Sequence, residues 1–434
     1  MTRFIRLILG LRCCLIIGLI VFGEGGLTKG TLLAAESSLR VREEMVSRFR
    51  VEDEEDLHWT LITFGGIAGI GGHSISHGAY GSITDQVHSR GVELAEQGRI
   101  DQAISEFTKC IKDNPRYGTA YYNRGTAYAR TGQFDLAIAD FTKFIEMEVA
   151  YPSLVFRVFH NRGVAYTQKG QYEQALADFN QVLKMNSHSY DDTDMVGGGR
   201  GGMPGRLQTE QTKPQNADNY YMRGVVYLKQ GQIDRAIADF DKAVAGDPNF
   251  AKAYCNRGVA YAMQGQFDRA LPDLNKALSL NPKYSKARYM RGLVYSQQKR
   301  YDLALADFNK ALEINAGNDK ALYFRGILYF SQGRHDLALA DFHQALKINP
   351  RYANAYYNRG VAYYNKSLYD KAIGDFNKSL ELDPKLADAY FNKALALEAS
   401  NRQTEAREAY TAFLRHAPPE AKDQIEQARR RLQQ

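Results

Sequence analysis

Tryptophan occurs once in the 434 residues, against 28 tyrosines and 21 phenylalanines. Such lopsided aromatic usage points to one sequence pattern copied many times. Cysteine is nearly as scarce. Cys13, Cys14, Cys110 and Cys255 show no Cys-x-x-Cys spacing, so neither a disulfide framework nor a cysteine zinc site is indicated. Blocks of one charge sign are also missing. The net charge is only +7, acids and bases are interspersed, and the dense basic run Arg429-Arg430-Arg431 comes in the last turn. Little argues for nucleic acid as a partner. Apolar residues make up 44% and charged residues 24%, which excludes global disorder and a collagen-like rod.

Long hydrophobic runs are absent as well. Arg3, Arg6 and Arg12 precede an unbroken apolar stretch, Cys13 to Phe22, with no acid before Glu24. A membrane span needs about 20 apolar residues, and this stretch is much shorter. A basic start with a short apolar core reads, over residues 1–35, as a secretory signal peptide or as a short uncleaved anchor. Cleavage fits after Gly23 or after Ala35, though neither is a clean small-x-small site. Either reading carries the following chain across a membrane, because the arginines stay on the cytoplasmic side.

Residues 36–83 read as a charged spacer followed by a Gly-rich apolar segment. The spacer ends in Glu52-Asp53-Glu54-Glu55-Asp56, and no formal charge follows from Leu57 to Thr84. Gly65 and Gly69 have the spacing of packed membrane helices, and the same stretch also fits a flexible linker. His73 and His77 are four apart, but the glycines around them argue against a helix that would join them on a metal.

Chemical motifs are missing too. There is no His-Glu-x-x-His, no Gly-x-Ser-x-Gly and no phosphate loop ending in Gly-Lys-Ser/Thr. Gly197-x-Gly199-x-x-Gly202 matches a dinucleotide fingerprint in form only, since no strand precedes it and no helix opens after it. The chain reads as non-enzymatic, with no catalytic residue, cofactor or metal expected.

What fills the chain is a period. Small residues following a base stand at Gly91, Gly125, Gly163, Gly224, Gly258, Gly292, Gly326, Gly360 and Ala394. Successive gaps are 34 residues except for two, of 38 and 61. Nine units thus begin at 84, 118, 156, 217, 251, 285, 319, 353 and 387. In the fifth, Tyr254, Gly258 and Tyr261 lie on one face of a first helix, and Gly258 lets a partner helix approach closely. Gly265 suits the left-handed turn after that helix, Asp268 is placed to cap the second, and Pro282 ends it. Ala270, Leu274, Ala277 and Leu278 form the apolar stripe of the second helix. One such hairpin cannot bury its apolar face, whereas nine stacked hairpins share a continuous core.

This pattern resembles the tetratricopeptide repeat family from residue 84 to about 420. The resemblance implies an all-α, right-handed superhelical solenoid whose first helices line a concave groove for partner peptides. Repeats 1–3 span 84–189 and repeats 4–9 span 217–420. Between them lies an insert, 190–216, acidic at Asp191, Asp192 and Asp194, then Gly-rich, and read as disordered. It stands where the solenoid would divide. Ala394, Asn401 and Thr404 mark the ninth unit as a degenerate terminal copy. After Pro418-Pro419, residues 421–434 form a capping helix with Ala421, Ile425, Ala428 and Leu432 on its apolar face.

Eight units carry Arg before the glycine and an acid sixteen residues later: Arg90 and Glu106, Arg124 and Asp140, Arg162 and Asp178, Arg223 and Asp239, Arg257 and Asp273, Arg291 and Asp307, Arg325 and Asp341, Arg359 and Asp375. Both change together in the ninth unit, to Lys393 and Ala409. The covariation predicts a structural ladder of partly buried ion pairs across each hairpin.

The resemblance points the residue before each Arg into the groove. It is Asn123, Asn161, Asn256, Asn358 and Asn392 in five units, and Ser89, Met222, Met290 and Phe324 in the others. Asn amides could hold an extended peptide backbone. Tyr289, Met290, Tyr323 and Phe324, with Leu293 and Ile327, would form an apolar patch, and Lys252, Lys286 and Lys320 a basic edge beside it. The alternative is that these side chains pack between helices. The groove lacks the asparagine of the dicarboxylate clamp, carrying Val92, Thr126, Val164 and Val225 instead. The chain therefore reads as an exported or membrane-anchored scaffold for proteins or peptides. The alternative is a structural subunit of a membrane or envelope complex, oligomerising or anchored through residues 57–83. Oligomeric state stays open.

Overall fold

The computed structural model describes residues 83–147, 152–188 and 214–434. The signal or anchor segment, the Gly-rich segment up to 82 and most of the insert lie outside the described residues. Nineteen helices and no strand occur among those described. None of these helices is long and apolar enough to cross a membrane.

The helices come in pairs, as the 34-residue period dictates. The first repeats are α1 (Ile83–Glu96) with α2 (Ile100–Asp113), α3 (Gly118–Arg130) with α4 (Phe134–Glu146), and α5 (Pro152–Gln168) with α6 (Tyr172–His188). Then follow α7 (Pro214–Lys229) with α8 (Ile233–Gly246), α9 (Ala251–Met263) with α10 (Phe267–Leu280), and α11 (Ser285–Gln297) with α12 (Tyr301–Ile314). The last are α13 (Asp319–Ser331) with α14 (His335–Ile348), α15 (Ala353–Asn365) with α16 (Tyr369–Leu382), α17 (Ala387–Ala399) with α18 (Gln403–His416), and the closing α19 (Lys422–Gln433).

The chain divides into two compact units, one ending at Ala316 and one running from Gly317 to Gln434. The division falls inside the span read as repeats 4–9, not at the insert. Across the insert, α6 packs directly on α7, as each second helix packs on the following first helix elsewhere in that unit. Near this boundary, Ala316 stands where other units carry the prolines of 248, 282, 350 and 384. The insert is also shorter at its end than the sequence suggests, because α7 already begins at Pro214, with proline in the first turn. The four extra residues before the third repeat lengthen its first helix, so α5 starts at Pro152 instead of 156.

The first eight hairpins close on a glycine. A Cβ at Gly360 would lie 2.8 Å from Phe376 Cε1, so the ring occupies the space that glycine leaves open. Phe107, Phe141, Phe179, Phe240, Phe308 and Phe342 fill the equivalent place and are buried. The inter-helix turn takes a left-handed residue, as at Gly265 (φ +74°). Three units put Lys299, Ser367 and Asn401 there at φ 58–59°. Asp268 does not cap its helix. The cap is Gln266, with no side-chain bond, and Asp268 sits in the first turn, where its charge opposes the helix dipole. Asn318 does cap α13, accepting from the Ala321 N–H at 2.9 Å.

Candidate functional site

Within each unit, successive first helices touch one another, giving a continuous first-helix face. What holds these helices in register is visible on both of their sides.

On one side stand the arginines. Arg124, Arg162, Arg223, Arg257, Arg291, Arg325 and Arg359 each donate through Nε and Nη2 to the two oxygens of the acid sixteen residues on, at 2.6–2.8 Å. These are bidentate, charge-assisted pairs. The third nitrogen, Nη1, reaches back to the second helix of the preceding repeat. Arg124 meets Thr108, Arg162 meets Thr142, Arg223 meets Asn180, Arg257 meets Asp241 and Arg291 meets Asn275. Aromatic rings flank the guanidinium. In Arg124 it lies 5.7 Å from both the Tyr121 and the Tyr128 ring centres, and in Arg359 5.4 Å from Tyr356 and 5.9 Å from Tyr363. Much of the tyrosine content is thereby explained.

The Asp273 hydrogen bonds, outweighing burial, hold the Arg257 guanidinium protonated. Burial pushes the Asp140 and Asp178 carboxyls up, against the pull of Arg124 and Arg162. The in-line donors on both oxygens are the geometry of an ionised pair. The first repeat departs from the pattern. Glu106 accepts from Lys109 at 2.7 Å, and Arg90 pairs with no acid among the described residues.

On the other side stand the asparagines, and here the groove reading needs correction. Asn123, Asn161, Asn256, Asn358 and Asn392 are all buried, Asn161 and Asn256 completely. Each is bonded to the preceding first helix. Asn256 donates to Tyr221 Oη at 3.0 Å, Asn358 to Tyr323 Oη at 2.8 Å and Asn392 to Tyr357 Oη at 2.8 Å. Asn123 meets His88 Nε2 at 2.9 Å, and Asn161 meets Thr126 Oγ1 at 3.5 Å. The residue before each Arg therefore turns toward the neighbouring first helix, where a polar side chain needs a partner. It does not present an amide to an open surface.

The apolar patch is buried for the same reason. Tyr289, Met290, Tyr323 and Phe324 are at most 2% exposed, and Leu293 and Ile327 are buried too. Tyr323 packs its ring 4.7 Å from Tyr352 and 5.0 Å from Phe324. Lys252 and Lys286 occupy equivalent positions on neighbouring first helices of one unit, Lys252 half-buried and Lys286 buried, while Lys320 belongs to the other unit.

The residues that do line the half-open first-helix face were missed. Arg157 occupies the position of Lys252 and Lys286 one repeat before Asp218, and Arg130 and Lys229 close the last turns of α3 and α7. For Arg157 the signal was the repeat position read for the lysines, hidden by the change of residue type, whereas Arg130 and Lys229 share another position, twelve residues after the start of their repeats. Asp218 interrupts the basic row. Burial raises its carboxyl and Asp247 adds to the rise, against His160 and Lys252. Among the described residues no group of histidine, cysteine and acids is placed to hold a metal.

Four models of the tetratricopeptide repeat match the chain, one at residues 156–189, 251–284, 285–318 and 353–386, and others at 224–265 and 326–367, at 89–153 and at 376–408. The chain belongs to the tetratricopeptide repeat family, and its repeats make it a protein-interaction scaffold. No curated protein matches it. Among solved structures, YrrB, a TPR protein with an unusual peptide-binding site, is 27% identical, covering 42% of this chain and 93% of that chain with a TM-score of 0.37. MamA is 29% identical, covering 38% of this chain and 96% of that chain with a TM-score of 0.34. PilF of Pseudomonas aeruginosa is 18% identical, covering 50% of this chain and 98% of that chain with a TM-score of 0.46.

Proposed function

We propose that the chain is a non-enzymatic adaptor that holds partner peptides along its first helices, on the far side of a membrane from the cytoplasm. The observation that carries the first part is the unbroken contact of first helices from α1 to α11, on which basic side chains recur at fixed repeat positions. Nearly all the described chain is spent on these repeats, and their buried polar groups serve to hold register. Export rests on Arg3, Arg6 and Arg12 before the apolar run Cys13 to Phe22. The test is intact mass and fractionation from the native cells. A soluble chain lacking its first 23 or 35 residues supports an exported adaptor; the two lengths follow from Gly23 and Ala35. A full-length chain that resists salt extraction from membranes supports an anchored one. A full-length chain in the cytoplasm overturns the location. Cross-linking from the first-helix face then tests the binding mode, and partners captured only by second helices overturn it.

A further inference from the structure

Most neighbouring hairpins of the unit ending at Ala316 are tied at their inter-helix turns by one further bond. Lys169 donates to Asp135, Gln230 Nε2 to Glu173 Oε1 at 3.0 Å, and Gln264 Nε2 to Asp234 Oδ1 at 2.7 Å. The acid stands in the first turn of a second helix, and its donor directly follows the first helix of the next repeat. The other unit repeats the tie, with Lys366 donating to Asp336. At the first junction the donor position is Thr131, which bonds back to Ala127 and Tyr128 of its own helix. Between the fifth and sixth repeats the two residues are Asp268 and Gln298, and the tie is not made. Gln298 accepts instead from Arg300 Nη1 at 3.4 Å, and Asp268 has no hydrogen-bond or ion-pair partner among the described residues. The arginines nearest to it in the chain are engaged with tyrosines. Arg269 lies 4.0 Å from the Tyr261 ring centre and donates to Tyr261 Oη at 2.7 Å, and Arg300 lies 4.7 Å from the Tyr295 ring centre. Here a crevice of about 360 Å³ opens, lined by Gly265, Gln266, Phe267, Asp268, Arg269 and Gln298.

An exposed carboxylate whose counterparts along the same stack accept an ammonium or an amide is one half of an ion pair already held in place. We propose that this crevice seats a lysine side chain from a basic segment of a partner protein, with its ammonium on Asp268 as that of Lys169 is on Asp135. The lysine stem then lies along the Phe267 ring. Arg269 beside Asp268 does not forbid a second cation, because Arg402 comes within 4.0 Å of Asp370 although Lys371 follows that acid. Tyr301 and Leu303 are exposed in the first turn of α12, just after the turn that carries Gln298. They offer an apolar rest, so the segment that fits carries an apolar residue next to its lysine. The site lies at the turns between helices, apart from the first-helix face, and it stands or falls independently of peptide binding there.

The experiment uses the full chain and a short, fluorescently labelled peptide of repeated lysine, leucine and glycine with both ends blocked. A matched peptide carries glutamine for lysine. At low salt the lysine peptide binds, and Asp268→Asn weakens it about fivefold. Asp302→Asn, the same change of charge one repeat further on, leaves the affinity nearly unchanged. Gln298→Lys supplies from within the chain the ammonium that Lys169 and Lys366 supply elsewhere, so it also weakens the peptide, while its thermal midpoint does not fall. Loss of binding in that variant therefore cannot be a folding defect. The glutamine peptide is weak against wild type and indifferent to all three changes. If the lysine peptide does not bind, or binds Asp268→Asn as it binds wild type, the seat is wrong. If Asp268→Asn and Asp302→Asn weaken it alike, diffuse charge holds the peptide and the seat is equally wrong. If vesicles of anionic phospholipid bind wild type and are released by Lys299→Gln with Arg300→Gln, while the two peptides bind alike, this edge takes a membrane and the lysine assignment is overturned.

Discussion

Arg257 grips Asp273 with two parallel hydrogen bonds of 2.7 Å, and it does so from the interior of a helix hairpin. Side-chain exposure is 17% for the arginine and 9% for the aspartate. Removing one member leaves a partly buried charge without its partner, which costs about 3 kcal/mol in comparable pairs. Asp273→Ala therefore loosens α9 and α10, read as faster amide exchange there. Replacing both residues with leucine restores most of the protection, since an apolar pair of similar volume carries no desolvation penalty.

Asn256→Ala removes a buried donor from Tyr221 and leaves a small void, at a cost of about 1–3 kcal/mol. The double variant with Tyr221→Phe is less destabilised than the two single losses added together. Denaturant unfolding of all four proteins measures the coupling, and strict additivity would show that the bond contributes nothing.

Lys299 sits at φ 59°, where five earlier repeats among those described have glycine. A non-glycine residue in this region costs about 1 kcal/mol, so Lys299→Gly raises the stability of the α11–α12 hairpin by about that much. Ser367→Gly does the same for α15–α16. A calorimetric midpoint that falls on either change would contradict the turn geometry.

His88 makes the first repeat sensitive to acid. Burial pulls its pKa below the ordinary 6.5, with Asp85 and the Thr119 backbone opposing, and its ring packs against Phe107 and Tyr117. Asp85 in turn accepts from Tyr117 Oη at 2.8 Å, and Asn123 bonds to the imidazole. A depressed folded-state pKa means that the unfolded repeat takes up a proton first. Stability is therefore full above pH 6.5 and falls as the pH drops from there toward the folded-state value. Amide protection in α1 and α2 declines by up to about tenfold per pH unit in that window. His88→Asn removes this dependence.

The hairpins could be read because the period is written in the chain: a small residue recurs, mostly every 34 residues, and a bulky apolar side chain sixteen residues after each glycine (phenylalanine in seven units, Leu274 in the fifth) fills the gap it leaves. The Arg–Asp pairs could be picked out because both positions change together at Lys393 and Ala409. The asparagines misled because a single helix pattern says which side chains share a face, and not which neighbouring helix covers it. Their partners had left a trace at a spacing of 35. Tyr221, Tyr323 and Tyr357 precede Asn256, Asn358 and Asn392, while Cys255, with no hydroxyl to satisfy, precedes Met290.

The backward reach of the third arginine nitrogen gives the stack a direction. Arg124, Arg162, Arg223, Arg257 and Arg291 all lean on the repeat before them, and Asn123, Asn161 and Asn256 do the same on the opposite side. A chain leaving the ribosome exposes these repeats in that order. Each new hairpin thus emerges to find its docking groups already built, and none waits for a partner still to be synthesised. Shortening the stack from its C-terminal side strips away only groups that reach backward, whereas shortening it from the N-terminal side orphans the reaching side chains of the repeat left in front.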